Sequence, residues 1–422
     1  MRYKAEIFDK YQYLYEVTRY SDHQVHCLIY FESKVDAAIL KRAAELLIKS
    51  VPILTRTYKS CGNSSHWEDT DISVWEDLFT VTDNKDEFDN FTLSKTNAET
   101  GPQIKFCLLQ KEKDCLSVVI NHMVSDGGGF KQCMYLFSEL YSNLLRDPDY
   151  IPERIIDGDR SFKDIIRKPN IPLRIGMLLF GSKDNNQKST CEFPMSKSEN
   201  PVPFLVSHEI PKDLFRSIKN YCRASDVTVN DVVLTAYFRA LSVVLDMIDR
   251  ELAIPIMIDM RRYLNDKGLN ALTNLSSTSI VKTCVAKNED FFGTLSKINS
   301  IMKVKKSGNL GLNTFLKLNA GFKIPFVDAY SIMAKVLKHP KLSMTNIGIL
   351  DSSRLVFVNS PIENAVMFSS KKYQPYLQLS VTSFNDKMTL GFGQYGSKQD
   401  RNRIEELLNC INKELSIAFG PE

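Results

Sequence analysis

The strongest constraint on the fold is a phrase that the chain uses twice: a β-branched or aromatic strand, an amphipathic helix, then further strands. In the first half, Val25-His26-Cys27-Leu28-Ile29-Tyr30-Phe31 has the side chains of a strand. Residues 35–50 follow, with Ile39, Leu40, Ala43, Leu46 and Leu47 recurring on one helical face. Pro52 closes that helix, residues 53–58 read as the next strand, and 104–109 and 115–121 read as a strand pair across a polar turn. The second half resumes with a strand at 204–210, and Pro211 opens a helix at its first turn, where proline is tolerated. A second helix is predicted over 228–247, strands over 252–260 and 276–285, and a helix over 289–306. A hairpin around Asn385-Asp386-Lys387 joins 376–384 to 388–394, and residues 401–419 close the chain as an amphipathic helix. This alternation predicts the α/β class. Two halves of about 200 residues each imply an internal pseudo-repeat. The expected boundaries are an N-terminal half at 1–160, a linker at 161–200 containing the polar tract 181–190, and a C-terminal half at 201–422.

Charge and cysteine usage remove several function classes. Lys and Arg number 54 against 50 Asp and Glu, a net charge of +4 without a basic stripe, which argues against a nucleic-acid binder. The nine cysteines are irregularly spaced and include no C-x-x-C pair, so neither a zinc ribbon nor a redox pair is indicated. Cys107, Cys115 and Cys133 sit in apolar runs as small hydrophobes. No apolar leader follows Met1, and the apolar run 171–180 is interrupted by Arg174, so no transmembrane segment is expected. The expectation is a reduced, cytoplasmic monomer. His23 and His26 lack companions for a metal site and read as surface residues, and no metal is expected.

The chemistry concentrates at 116–130. An apolar strand ends in His122, Asp126 follows, and Gly127-Gly128-Gly129 leads into a helix whose apolar face is Phe130, Met134, Phe137, Tyr141 and Leu144. A histidine at a strand end beside glycines suits proton removal near neutral pH. Asp126 has two readings. Its carboxylate either works beside the imidazole or is aimed at an arginine, or it caps the following helix beside a core histidine. The residues alone leave both open.

Several phrases together resemble the H-x-x-x-D-G acyltransferases: condensation domains of nonribosomal peptide synthesis, plant BAHD enzymes, wax ester synthases and alcohol acetyltransferases. His122 to Gly127 fits the motif itself. Thr228-Val229-Asn230-Asp231-Val232-Val233-Leu234 is similar to the T-x-N-D-V-x-L helix start of wax ester synthases, although Thr228 and Asp231 also form a capping box. Ile256 to Arg262 resembles a strand ending in D-x-R, Leu272-Thr273-Asn274-Leu275 a following G-N-type phrase, and Thr345-Asn346-Ile347-Gly348 an S/T-N-x-G phrase. Residues 35–36 and 52–54 resemble the first helix and its trailing P-x-L. The chain departs from the pattern at Asn121, where many members carry a second histidine, and it lacks D-F-G-W-G.

The resemblance implies two chloramphenicol-acetyltransferase-like α/β sandwich halves forming a pseudo-dimer with a tunnel between them. It implies that His122 is a general base acting on an alcohol or amine acceptor, with acyl-CoA or acyl-phosphopantetheine as co-substrate, no bound cofactor and no acyl-enzyme. A small-molecule acceptor and an acyl carrier protein are the implied partners. Asp126 would be structural, paired with Arg261 or, second, Arg262. Both arginines read equally well as solvated. Gly127 would give the thioester room, and Thr345 and Asn346 would line the site, although Asn346 also reads as a turn residue. A stand-alone condensation-type domain acting on carrier-protein substrates, or a member that binds a ligand or partner without catalysis, remain alternatives. Lys303, Lys305 and Lys306 complement a helix C-terminus or hold a cofactor phosphate. Gly391 to Gly396 matches G-x-G-x-x-G, but only one helix follows it, so no dinucleotide unit can form.

Overall fold

A computed structural model describes residues 1–420 except 62–63, 72–77, 170–190, 197, 266–268 and 322–340. The polar tract 181–190 and the apolar run 171–180 lie outside the described residues.

The N-terminal elements are β1 (Arg2–Lys4), α1 (Ile7–Val17), β2 (Gln24–Phe31), α2 (Ala37–Ser50), β3 (Thr57–Lys59), β4 (His66–Glu68), β5 (Phe79–Thr82), α3 (Lys85–Leu93), β6 (Ile104–Leu109), β7 (Cys115–Asn121), α4 (Gly127–Arg146) and α5 (Lys163–Arg167). From there come β8 (Val202–Ile210), α6 (Lys212–Ala224), α7 (Val229–Val244), β9 (Glu251–Asp259), β10 (Ser276–Cys284), α8 (Phe291–Ser307) and α9 (Leu312–Gly321). The chain ends with β11 (Leu342–Leu350), β12 (Ile362–Phe368), β13 (Leu377–Phe384), β14 (Lys387–Gly396) and α10 (Lys398–Phe419).

The strands form two large sheets, as the alternating pattern predicts. The N-terminal sheet has the order β12-β2-β7-β6-β5, and the C-terminal sheet the order β10-β9-β11-β13-β14-β8. Strand β7 is an inner strand with every residue buried, which is why its sequence is a near-continuous apolar run. Leu40, Ala43 and Leu47 of α2 pack with Phe130, Met134 and Phe137 of α4 in the core of this half. In the other half, Val232, Val233, Ala236 and Leu241 of α7 join Ile404, Leu408 and Ile411 of α10.

One expected strand is different. Residues 53–58 are not a single strand: Pro52–Leu54 is a short 3-10 turn and only Thr57–Lys59 is extended. Pro52 sits at the start of that turn, where its fixed φ is compatible. Ile53 and Leu54 bury in the core from the turn, and the Leu54 and Arg56 carbonyls accept hydrogen bonds from the Gln103 main chain and side chain, both at 2.9 Å.

The sheets do not follow sequence order throughout. Strand β12 belongs late in the chain yet pairs antiparallel with β2 of the N-terminal sheet. The segment before it carries Leu355 and Phe357 into the N-terminal core, where the Phe357 ring lies 5.3 Å from Phe31 and 5.3 Å from Tyr141. All nine cysteines are free. Among the described residues no single helix is long and apolar enough to cross a membrane.

Candidate functional site

His122 stands one residue past β7. Its amide donates to the His23 carbonyl at 2.6 Å, carrying the β2–β7 pairing beyond the strand ends. Asn121 then makes the turn: its side-chain oxygen accepts from the Met123 amide at 2.9 Å and its carbonyl from Val124 at 3.1 Å. An asparagine supports its own turn in this way, so the place of a second histidine is taken by a turn-forming residue. The His122 ring is half-buried. Asn274, just ahead of β10, puts its amide nitrogen 3.1 Å from His122 Nδ1 and donates to the His122 carbonyl at 3.1 Å. The other end of that amide accepts from the Ser276 hydroxyl at 2.9 Å, which fixes its orientation. Main-chain groups of His122 and Ser125 also bond the ring, and among the described residues no side chain lies at hydrogen-bond distance from Nε2. Burial lowers the imidazole below its ordinary pKa of 6.5; main-chain hydrogen bonding and Asp126 pull upward, and Lys372 pushes down. The ring is therefore neutral at pH 7.

Asp126 both caps a helix and pairs with an arginine, and it makes no hydrogen bond to the imidazole among the described residues. As N-cap of α4 its carboxylate accepts from the Gly129 amide at 2.8 Å, and it also accepts from Leu275 at 2.7 Å and Arg261 Nη1 at 2.9 Å. Burial alone would raise this carboxyl, but Arg261 and the two amides outweigh it and hold the pKa below the usual carboxylate value. Arg261 is itself anchored, with Nη1 3.2 Å from Asp259 and Nη2 donating to the Thr273 carbonyl at 3.0 Å. The loop 272–275 is therefore pinned to both ends of the His122 turn. Arg160 holds it from behind, pairing bidentately with Asp9 at 2.8 Å and donating to the Leu272 carbonyl at 2.8 Å.

The remaining expected residues fall as follows. Arg262 is exposed, its guanidinium 5.6 Å from the Tyr263 ring, and it does not join Asp126. A Cβ on Gly127 would lie 3.3 Å from Ile347 of β11, so this glycine admits a strand of the other half. Thr345 and Asn346 are half-buried on the same strand. Asn346 bonds Asn230 at 3.2 Å and the Gly348 amide at 2.9 Å, across a bulge where Gly348 has φ +84°. Lys131, one turn into α4, donates to the Ile347 carbonyl at 2.8 Å. Thr228 and Asp231 form the capping box, and Lys303 and Lys306 pair with Asp226 and Asp231. No group of three His, Cys, Asp or Glu side chains fit to hold a metal occurs among the described residues. A groove of about 1130 Å³ runs along α4 past Tyr135, Glu139 and Arg146 without including His122.

Two expectations need correction: His23 and His26 are not surface residues. Both are fully buried. Polar neighbours gave them the look of a rim, but β2 is an inner strand with β12 on one side and β7 on the other. Their ring nitrogens face Gln12 Oε1 at 3.1 Å and Lys371 Nζ at 3.0 Å.

Some contributors were not singled out in the sequence. Gly128 and Gly129 make room for Arg261: a Cβ on Gly128 would lie 2.6 Å from its Nη1, and one on Gly129 3.2 Å from its Nη2. Three consecutive glycines at a helix start were the available signal. Gly128→Ala is expected to displace Arg261 from Asp126 and destabilise the protein by about 1–3 kcal/mol, measurable by thermal unfolding; an unchanged melting temperature would refute this packing argument.

No protein-family model matches the chain, and no curated protein matches it in sequence. Solved structures do match in fold. The trichothecene 15-O-acetyltransferase of Fusarium sporotrichioides is similar with a TM-score of 0.73 at 13% identity, covering 98% of this chain and 95% of that one. The epimerization domain from the third module of tyrocidine synthetase B gives 0.70 at 14% identity, covering 98% and 95%. The first condensation domain of the CDA synthetase gives 0.69 at 12% identity, covering 99% and 96%. The chain thus has the two-sheet fold of condensation domains and of this acetyltransferase, over essentially its whole length.

Proposed function

We propose that the protein is an acyltransferase that moves an acyl group from a thioester, of coenzyme A or of a carrier-borne phosphopantetheine, directly to an alcohol or amine, with His122 as general base. The observation that carries this reading is a neutral histidine with an open Nε2, held by loops of the C-terminal half at the end of an N-terminal strand. For the reaction the ring carries its proton on Nδ1, directed to the main-chain carbonyls that bond it, with the Asn274 amide donating to the His122 carbonyl alone; Nε2 then takes the acceptor's proton while the acceptor oxygen or nitrogen bonds to the thioester carbon. The carbon–sulfur bond then breaks, and the departing thiolate takes the proton back from the imidazolium. Asp126 and Arg261 hold the turn that aims the ring and need not touch the substrate. The likeness to an acetyltransferase and to condensation domains supports both donor types, and it supports a small-molecule or carrier-bound acceptor.

The test is a panel of acyl-CoA and acyl-pantetheine thioesters with simple alcohols and amines, read by thioester absorbance and product mass. A thiol reagent is unsuitable because free, solvent-accessible cysteines such as Cys61 would react with it. Product formation that requires the acceptor is expected; a full panel without acceptor-dependent product would refute the reading. The lowered imidazole pKa also fixes the sign of the pH dependence. Transfer falls on acidification as Nε2 is protonated, with its midpoint below about 6.5, the ordinary histidine value. An acidic limb centred above that value in a kcat/KM profile would contradict the neutral-base assignment.

A further inference from the structure

Beside His122 lies a buried basic cluster that the proposed chemistry does not use. Lys371 and Lys372 are consecutive and both buried, in the segment between β12 and β13. Lys372 bridges the halves: its main chain pairs with Ser21 on one side and with Gln394 of β14 on the other. The two side chains meet different surroundings. Lys371 Nζ has an anion, Asp22, at 2.8 Å. The remaining capacity of Asp22 is taken by the Tyr395 hydroxyl at 3.2 Å and the amides of Lys371 and Gln24 at 3.1 and 3.3 Å. Lys372 has no such partner: among the described residues no acceptor lies within hydrogen-bond reach of its Nζ, which sits 4.2 Å from the centre of the Tyr20 ring. The side chain is only 5% exposed. A buried ammonium without a hydrogen-bonded anion is unfavourable, and burial brings Lys372 down to about 7 against the upward pull of the Asp22 charge.

The cluster leads to the catalytic turn. His23 lies two residues past the Lys372 partner Ser21, and its carbonyl receives the His122 amide. It is fully buried, adopts φ +56°, stacks on Tyr15 and leaves Nε2 without a partner. Both His23 and His122 feel the Lys372 charge. The Tyr20 hydroxyl in turn bonds Ser343 of β11. Ser343 and Thr345 alternate onto one face of that strand, and Ile347 two residues on meets Gly127. One strand therefore runs from the Lys372–Tyr20 cluster to the turn that carries His122.

We infer that Lys372 is a substrate-binding residue and that the molecule processed at His122 carries a carboxylate, which the Lys372 ammonium receives at the Tyr20 end of β11. This rests on the acyl-transfer reading for what happens at His122, but not for the binding itself. The phosphates of a coenzyme A donor are separated from its thioester by the whole pantetheine arm, so a cation whose charge reaches the His122 imidazole serves the reacting part of a substrate.

Binding is tested on the full chain with benzoate against benzamide and 3-hydroxybenzoate against its amide, by ligand-observed NMR. Wild type and His122→Ala are expected to bind the acids and not the amides, and Lys372→Met and Lys372→Gln to bind the acids at least about tenfold more weakly. Both Lys372 variants are expected to unfold at or above the wild-type temperature, since the buried amine has no hydrogen-bonded anion to lose; a fall in both would make Lys372 a structural residue and overturn the proposal. In turnover, hydroxy acids against their amides test a carboxylate on the acceptor, and succinyl-CoA against butyryl-CoA tests one on the acyl chain. A wild-type preference for the acid, lost in Lys372→Met, supports the proposal and names the source. Equal use of acid and neutral forms in both arms, or a preference that Lys372→Met retains, overturns it. If no donor turns over, the acyl-transfer reading fails while the acid-against-amide binding still decides Lys372.

Discussion

His122→Ala is expected to lower acyl transfer by about 10²–10⁴-fold, the usual contribution of a positioned general base, while leaving the fold intact. The imidazole makes no ion pair, and its only side-chain neighbour at hydrogen-bond distance among the described residues is Asn274. The turn is built instead by Asn121 and by the main chain of His122, both of which survive the substitution. The measurement is kcat with a saturating donor and acceptor, alongside thermal unfolding. A variant that keeps full activity removes the general-base role. One that loses activity and unfolds many degrees earlier shows instead that His122 holds the turn together.

The opposite balance is expected for the Asp126–Arg261 pair, where stability and rate fall together. Arg261→Met leaves a buried carboxylate without its cation, and breaking a buried pair from one side costs about 3–5 kcal/mol. Arg261 is held by Asp126, Asp259 and the Thr273 carbonyl, so the loss also releases the loop that positions Asn274. Asp126→Asn retains an N-cap for α4 but loses the charge and is expected to lower both melting temperature and rate. The double variant is expected to be less destabilised than the two single effects summed, because each strands the same partner. Additive losses would show that the two side chains act independently. The pH dependence has a definite sign. The carboxyl is held below its ordinary value in the folded state, so its stabilisation is complete at neutral pH and disappears as pH falls through that lowered pKa. Arg261→Met is expected to move the acid-unfolding midpoint upward.

Local pattern carried the sequence reading of most elements. Cys115–Asn121 and Ile104–Leu109 have their expected bounds, because an inner strand leaves a near-continuous apolar run, here interrupted only by Ser117 and Lys105. Helices α2, α7 and α10 were visible through their one-sided periodicity. What failed to show was whatever depended on distant partners. Nothing near His26 announces that β12, more than three hundred residues later, will cover it. The Asp126–Arg261 contact joins residues 135 apart, and only a family resemblance placed Arg261 as a candidate ahead of Arg262. Nothing in the sequence marks Lys371 and Lys372 as buried, because consecutive lysines are usually solvated. Gly128 and Gly129 were legible as glycines, but not as the space an arginine from the other half would occupy.

The exchange of β12 into the N-terminal sheet bears on whether the halves can exist apart. A fragment ending near residue 200 would leave the β2 edge, with Val25, Cys27 and Ile29, open to any other chain with a free strand. During synthesis that edge stays uncovered until residue 368 has emerged. The first half therefore waits on the second to finish its own sheet. Dissecting the protein at its centre should yield aggregates or swapped dimers rather than two working domains, and the interlock makes the pseudo-repeat a single cooperative body.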